Sequence, residues 1–264
     1  MTASKLEAEP RAVSTGFDDL PTAIALAALA ICTTACAHEA LGHGSACLFL
    51  GGRITLLSNA FFRCSAPSPI IDISGPVGNL LTGFIAFALQ GRISGNRPAL
   101  RFYALCVMAF SLFWEAGYVI FAMLRDRGDY VYAWIGFVGA ANWAVRLGGI
   151  AVGIAAYSAF SRMLAKRVRV YAAWPRRIPH LLRPAWITGV VAMAASASLF
   201  SPDRLGAMHD AGLSAVAAFP LLLPYEYLSS SCELAKPIAR DRRIIAGGVA
   251  GLIVFALTMG RGIH

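Results

Sequence analysis

The chain has 264 residues, of which 58% are hydrophobic and only 14% charged, with a mean hydropathy of +0.63. Soluble domains carry about 25% charge, so this composition excludes an ordinary water-facing domain, a disordered chain, a coiled coil and a small disulfide-stapled module. The net charge of +9 comes from short basic clusters set between apolar runs, a pattern that orients membrane helices and gives no reason to expect a nucleic-acid partner.

The apolar residues come in long runs, not in the alternating segments of about ten residues that build a membrane β-barrel. The expected fold is therefore all-α and polytopic, with six or seven transmembrane helices and a short hairpin after the first. Residues 1–20 are polar, lack the features of a cleavable signal and read as a flexible tail. Residues 21–160 read as a membrane core and 161–264 as further C-terminal membrane helices. A crossing needs about 20 apolar residues, and candidate spans run from Pro21 to Leu50, Ile70 to Gln90, Leu100 to Leu124, Tyr130 to Phe160, Trp186 to Phe200, Leu213 to Leu228 and Ile244 to Met259. The first and fourth are too long for a simple crossing and are expected to tilt, break or include an interfacial turn. The sixth carries Pro220 and Pro224, so it is expected to kink or re-enter.

With seven spans, sixteen Lys and Arg fall on the side of the N-terminus, and six fall opposite: Arg53, Arg63, Arg125, Arg127, Arg204 and Arg261. The second side is the non-cytoplasmic one. The six cysteines (Cys32, Cys36, Cys47, Cys64, Cys106 and Cys232) show no CxxC spacing and read as buried free thiols.

Ionisable groups inside apolar spans cost about 2.5–3.5 kcal/mol each even on the lenient insertion scale, so each asks for a reason. The first span contains AHEALGHGSACLF, with His38, Glu39 and His43. Two histidines beside a glutamate point to a metal. Their spacing is HExxxH, one residue longer than the HExxH helix motif of zinc hydrolases. At 3.6 residues per turn, positions i and i+5 diverge by about 140°; a one-residue π-bulge, eased by Gly42 and Gly44, would realign them. Otherwise Glu39 and His43, true i,i+4 neighbours, form the constellation. A third reading makes Cys32, Cys36, Glu39, His43 and Cys47 a helix–helix packing stripe.

Gly51 to Pro69 reads either as one or two short strands at the membrane surface or as an ordinary loop. The second span opens IIDISGPVGNLL. Its Gly75, Pro76 and Gly78 suit a close backbone approach, with Asn79 pointing an amide into the bundle and Asp72 just ahead. Glu115, alone in SLFWEAGYVIF, is a protonated packing residue, a partner for Arg146 or a metal ligand. In RDRGDYVYAW, Asp129 follows Gly128 and immediately precedes apolar helix, so its carboxylate can turn inward.

In order, the histidine–glutamate–histidine helix, the Gly51–Gly52 hairpin, SGPVGN and GDY resemble the site-2-protease group of intramembrane zinc metallopeptidases (the peptidase M50 class), over roughly Ala37 to Trp134. The resemblance implies Zn²⁺ held by His38 and His43 with a carboxylate, Asp129 first and Glu115 second. It also implies Glu39 as the catalytic base, and Asn79 follows as a second donor to the developing oxyanion. The expected substrate is a transmembrane protein or peptide, and the expected location is a multi-pass one among the lipids of a bacterial inner membrane. The oligomeric state is left unknown. Members of the group generally place the site near the cytoplasm, whereas the basic-residue count puts the histidine end outside: either a long segment is not one crossing, or the site faces the other way. The alternative from another class is a non-enzymatic metal-binding protein or an ion- or proton-coupled transporter, with Glu39, His43, Asp72 and Glu115 lining the path.

Overall fold

The computed structural model describes residues 17–172, 176–223, 225 and 235–264. Among the described residues, the regular structure is helical except for one hairpin. α1 (Leu20–Cys36) passes without a break through a π-helical segment (Ala37–Gly44) into α2 (Ser45–Phe49). The hairpin follows, β1 (Ile54–Leu57) and β2 (Phe62–Cys64), then α3 (Pro69–Arg92), α4 (Pro98–Arg125), the short α5 (Asp129–Val138), α6 (Trp143–Val168), α7 (Arg177–Ala197), α8 (Arg204–Val216) and α9 (Arg242–Phe255). Among the described residues, five helical segments are long and apolar enough to cross a membrane: Leu20–Phe49, Pro69–Arg92, Pro98–Arg125, Trp143–Tyr171 and Arg242–Gly260.

Helix starts follow the local chemistry. Asp19 caps α1 by accepting from the Thr22 N–H at 3.0 Å, with Pro21 in the first turn; Ser68 and Pro69 do the same for α3. Asn142 caps α6, Asp203 α8 and Asp241 α9 through their side-chain oxygens.

α4 is the central rod, 78% buried over its apolar stretch, while α6 buries only 11% and presents apolar side chains outward. Phe102, Leu105, Met108, Phe110 and Phe113 of α4 meet Ile31 of α1, Leu164 of α6 and Leu181 of α7 in one buried cluster. One end of the bundle gathers the start of α1, the end of α6 and the start of α7. Arg177 there is fully buried, pairing with both carboxylate oxygens of Asp18 at 2.7 and 3.0 Å and donating to the carbonyls of Ala235 and Lys236. The opposite end holds the hairpin. β1 and β2 are antiparallel, with Leu57 opposite Phe62 and an irregularity between Ile54 and Leu56. β1 also exchanges two backbone hydrogen bonds with Ile263, so β2 is the strand with the outward edge.

The fourth expected span is two helices. Gly139, at φ +102°, ends α5, and Asn142 starts α6. The fifth begins earlier than expected, at Arg177. The sixth is a short helix, α8, followed by a 3₁₀ turn at Phe219–Leu222; most of its remainder lies outside the described residues. Two cysteines are not free thiols: Cys47 and Cys64 form a disulfide that ties β2 to α2, whereas Cys32, Cys36 and Cys106 are free. Cys232 lies outside the described residues, as does all but the last few residues of the expected N-terminal tail.

Candidate metal centre

His38 and His43 sit in the π-helical segment, where the wider turn brings residues five apart onto one side; their ring centroids are 4.9 Å apart. Glycine makes the surroundings possible. A Cβ on Gly42 would stand 2.5 Å from the Gly75 Cα and 2.6 Å from the Ser74 carbonyl of α3. The SGPVGN segment therefore lies directly against the π-turn, glycine to glycine.

Asp129 reaches the same point from the N-terminus of α5. Its Oδ2 lies 3.1 Å from His38 Nε2 and 3.2 Å from His43 Nε2. One ligand atom from each of these three residues falls within 4.8 Å of the others, so the group can hold a metal ion.

The far side of each imidazole fixes its tautomer. His43 Nδ1 is 2.7 Å from the Ile71 carbonyl, which can only accept, so Nδ1 carries the proton. His38 Nδ1 is 2.9 Å from Glu115 Oε1. That carboxylate already accepts from Asn79 Nδ2 at 2.8 Å and from the Tyr130 hydroxyl at 3.0 Å. The Tyr130 hydroxyl is the donor in its bond. His38 therefore also donates through Nδ1. Both Nε2 atoms face the same carboxylate oxygen, and two imidazole nitrogens with one carboxylate are a donor set that can hold a metal ion and leave a position open. The acceptors behind each Nδ1 are of the kind that metal-ligating histidines generally have.

The structure gives the other sequence candidates distinct places. Glu39 is buried and lines the same cavity as His38, His43 and Asp129. Glu115 bonds the back of His38 and does not reach the three-atom centre. Asn79 is spent on Glu115 and does not line the cavity. Asp72 is half-buried at the cavity wall. Arg146 does not meet Glu115; it caps the end of α4, donating to the Met123 and Leu124 carbonyls, and lies 3.5 Å from Asp126.

The contacts of four aromatic residues with the centre escaped the sequence reading, although Phe62 and Tyr130 lie in segments it singled out. Trp114 stacks on His38 and Phe62 on His43, each with centroids 5.2 Å apart. The Tyr118 hydroxyl accepts from the Asp129 N–H at 3.0 Å, and Tyr130 orients Glu115. The available signal was position: Trp114 and Tyr118 flank Glu115, and Tyr130 follows Asp129.

The centre opens into a cavity of about 940 Å³ walled by Phe61, Phe62 and Arg63 of the hairpin, by α4, and by Leu213, Val216 and Phe219 beyond. Comparison of the chain with protein-family models, with curated proteins and with solved structures returns no match.

Proposed function

We propose that this chain is a multi-pass integral membrane metallopeptidase, with six or seven crossings in a bacterial inner membrane, that hydrolyses peptide bonds of membrane-embedded substrates. The observation that carries the proposal is the convergence of three potential metal-ligand atoms beside a buried glutamate, at the wall of a mostly apolar cavity. The motif order, resembling site-2 proteases, supports the choice of a peptide bond over other hydrolysable groups.

His38, His43 and Asp129 would hold Zn²⁺, an ion that nitrogen and oxygen donors without thiolate accommodate. When bound, it supplies Lewis acidity, lowering the pKa of a water and polarising the scissile carbonyl. Glu39 takes the proton from the attacking water and delivers it to the leaving amine. Asn79 and Tyr130 fix Glu115, and Glu115 keeps His38 in the Nδ1–H form, so these three are positioning residues. The outward edge of β2 offers backbone groups to which an extended substrate adds as a strand, with Phe61 and Phe62 beside its side chains. Water exclusion by Trp114, Phe62 and Tyr118 strengthens the electrostatics at the centre.

The test is proteolysis of a transmembrane substrate by the purified protein in reconstituted membranes, with metal content measured in parallel. Wild type should cleave and Glu39→Gln should bind metal without cleaving. Equal cleavage by both removes Glu39 as base. Bound metal with gradient-driven ion flux and no peptide product would favour the transporter reading.

A further inference from the structure

We infer that the metal-ligating group and its cavity open on the oxidising, non-cytoplasmic face of the membrane, so that the bonds cut lie in the outer half of the bilayer or just outside it; this rests on the membrane-peptidase reading above.

The two ends of the bundle differ in three independent ways. The first is the position of the site. His43 is six residues from the hairpin end of its helix, Phe49, and His38 is eighteen residues from the opposite end, Leu20. At 1.5 Å per residue these are about 9 Å and about 27 Å. Asp129 leads α5 just beyond the end of α4, and Asp72 lies in the first turn of α3, both at the hairpin end. The second is charge. Contacts fix the side of each connection: Asp18 meets Arg177, the Lys236 N–H meets the Gly95 carbonyl, and Arg167 donates to the Phe87 carbonyl, all away from the hairpin. Leu57 meets Ile263, Asn59 meets Met193 and Ser196, and Arg127 meets Asp210 at the hairpin end. Among the described residues, fourteen Lys and Arg fall at the first end and seven at the hairpin end, Arg146 at the end of α4 included. That bias marks the hairpin end as the outside. The third is covalent. The Cys47–Cys64 disulfide ties the hairpin to α2 at this end, and disulfides persist in oxidising compartments and not in the cytosol. Charge placement and thiol chemistry report different properties of the compartment, and both agree with the position of the cavity mouth.

The consequence is a substrate class: membrane proteins whose scissile bond is presented from outside, in a segment able to extend along β2. A site opening to the cytosol would instead receive cytosolic juxtamembrane segments.

The test reads orientation without using catalysis. In cells expressing the full chain with Cys232→Ser as background, a membrane-impermeant maleimide is applied to Thr55→Cys, exposed on β1, and to Asn96→Cys, exposed in the α3–α4 connection. Thr55→Cys should label in intact cells, and Asn96→Cys only after permeabilisation. Without either substitution, an impermeant phosphine added outside should make Cys47 and Cys64 alkylatable. Labelling of Asn96→Cys but not Thr55→Cys in intact cells overturns the inference, as does a native pair that is found reduced before the phosphine is added. A protein that labels as expected but cleaves nothing counts against the peptidase reading alone, whereas a cleaving protein with reversed labelling counts against the orientation alone.

Discussion

Gly75→Ala tests the geometry of the centre without replacing a ligand. A Cβ at this position would lie 2.5 Å from Cε1 and 2.7 Å from Cδ2 of His43, where ordinary contacts are 3.4–4 Å. The ring must therefore retreat by about 1 Å or α3 must withdraw by as much. Neither route is free. The ring is held by the Ile71 carbonyl at 2.7 Å, one turn earlier on the same helix, and is covered by Phe62. Withdrawal of α3 opens the glycine contact with Gly42. Overpacking of this kind costs about 1–3 kcal/mol. Moving Nε2 away from its partners should also weaken zinc binding by about 10–100-fold, the range seen when support of a metal-ligating histidine is lost. Chelator-competition titration and thermal melting of the detergent-purified protein read the two effects. Gly148→Ala on α6, whose Cβ would meet nothing within 4 Å, serves as control and should change neither. If Gly75→Ala binds zinc with wild-type affinity, the placement of His43 against α3 is wrong.

Glu115→Ala should lower zinc affinity by about 10–100-fold through loss of the His38 support, and Tyr130→Phe by less, both measured by the same competition. Asp129→Asn should reduce bound metal further, because it removes a ligand charge; unchanged stoichiometry would place the ion elsewhere. Arg177→Met strands the buried Asp18 carboxylate and should cost about 3–5 kcal/mol in denaturation of the purified protein, whereas an unchanged melting temperature would mean that water reaches that pair. Replacing Cys47 and Cys64 together by serine should cost about 3 kcal/mol for a loop of this length, read by denaturant titration.

Much of the centre is legible in the sequence because charged residues in apolar runs are conspicuous. Two histidines and a glutamate in one helix, and a Gly-Asp at the start of another, stand out from surroundings of Ala, Leu, Val and Ile. The π-turn is foreshadowed by HExxxH spacing with Gly42 inside it. What the sequence hides is depth along a line of sight. Glu115 lies inside one apolar run and Asp129 at the start of another, and nothing local says that the second faces the centre while the first backs a histidine. Asn79 illustrates the same gap: its spacing after Gly75 predicts an inward amide, but only the tertiary contact shows that the amide is taken by Glu115. The break between α5 and α6 is obscured because Tyr130 to Phe160 reads as one apolar run, and Gly139 acts through a positive φ that composition does not display. The Cys47–Cys64 disulfide follows no spacing rule. Cys64 lies in the polar stretch, and this was its one distinguishing feature.

A helix that widens by one residue per turn is intrinsically poor, so the π-turn at Ala37–Gly44 needs support from outside itself. It receives that support where side chains are missing. Gly42 against Gly75 and Gly78, together with a Gly78 Cβ position only 2.8 Å from the Ala37 carbonyl, lets α3 lie close enough for the Ile71 carbonyl to grip His43. The same close approach positions Asn79 to hold Glu115, which holds His38. Each imidazole is thus oriented by groups that belong to, or depend on, α3, although both histidines are carried by the first helix. The glycines of SGPVGN are therefore as decisive for the centre as its candidate ligands: they convert a spacing that a regular helix would splay into two imidazole nitrogens aimed at one carboxylate.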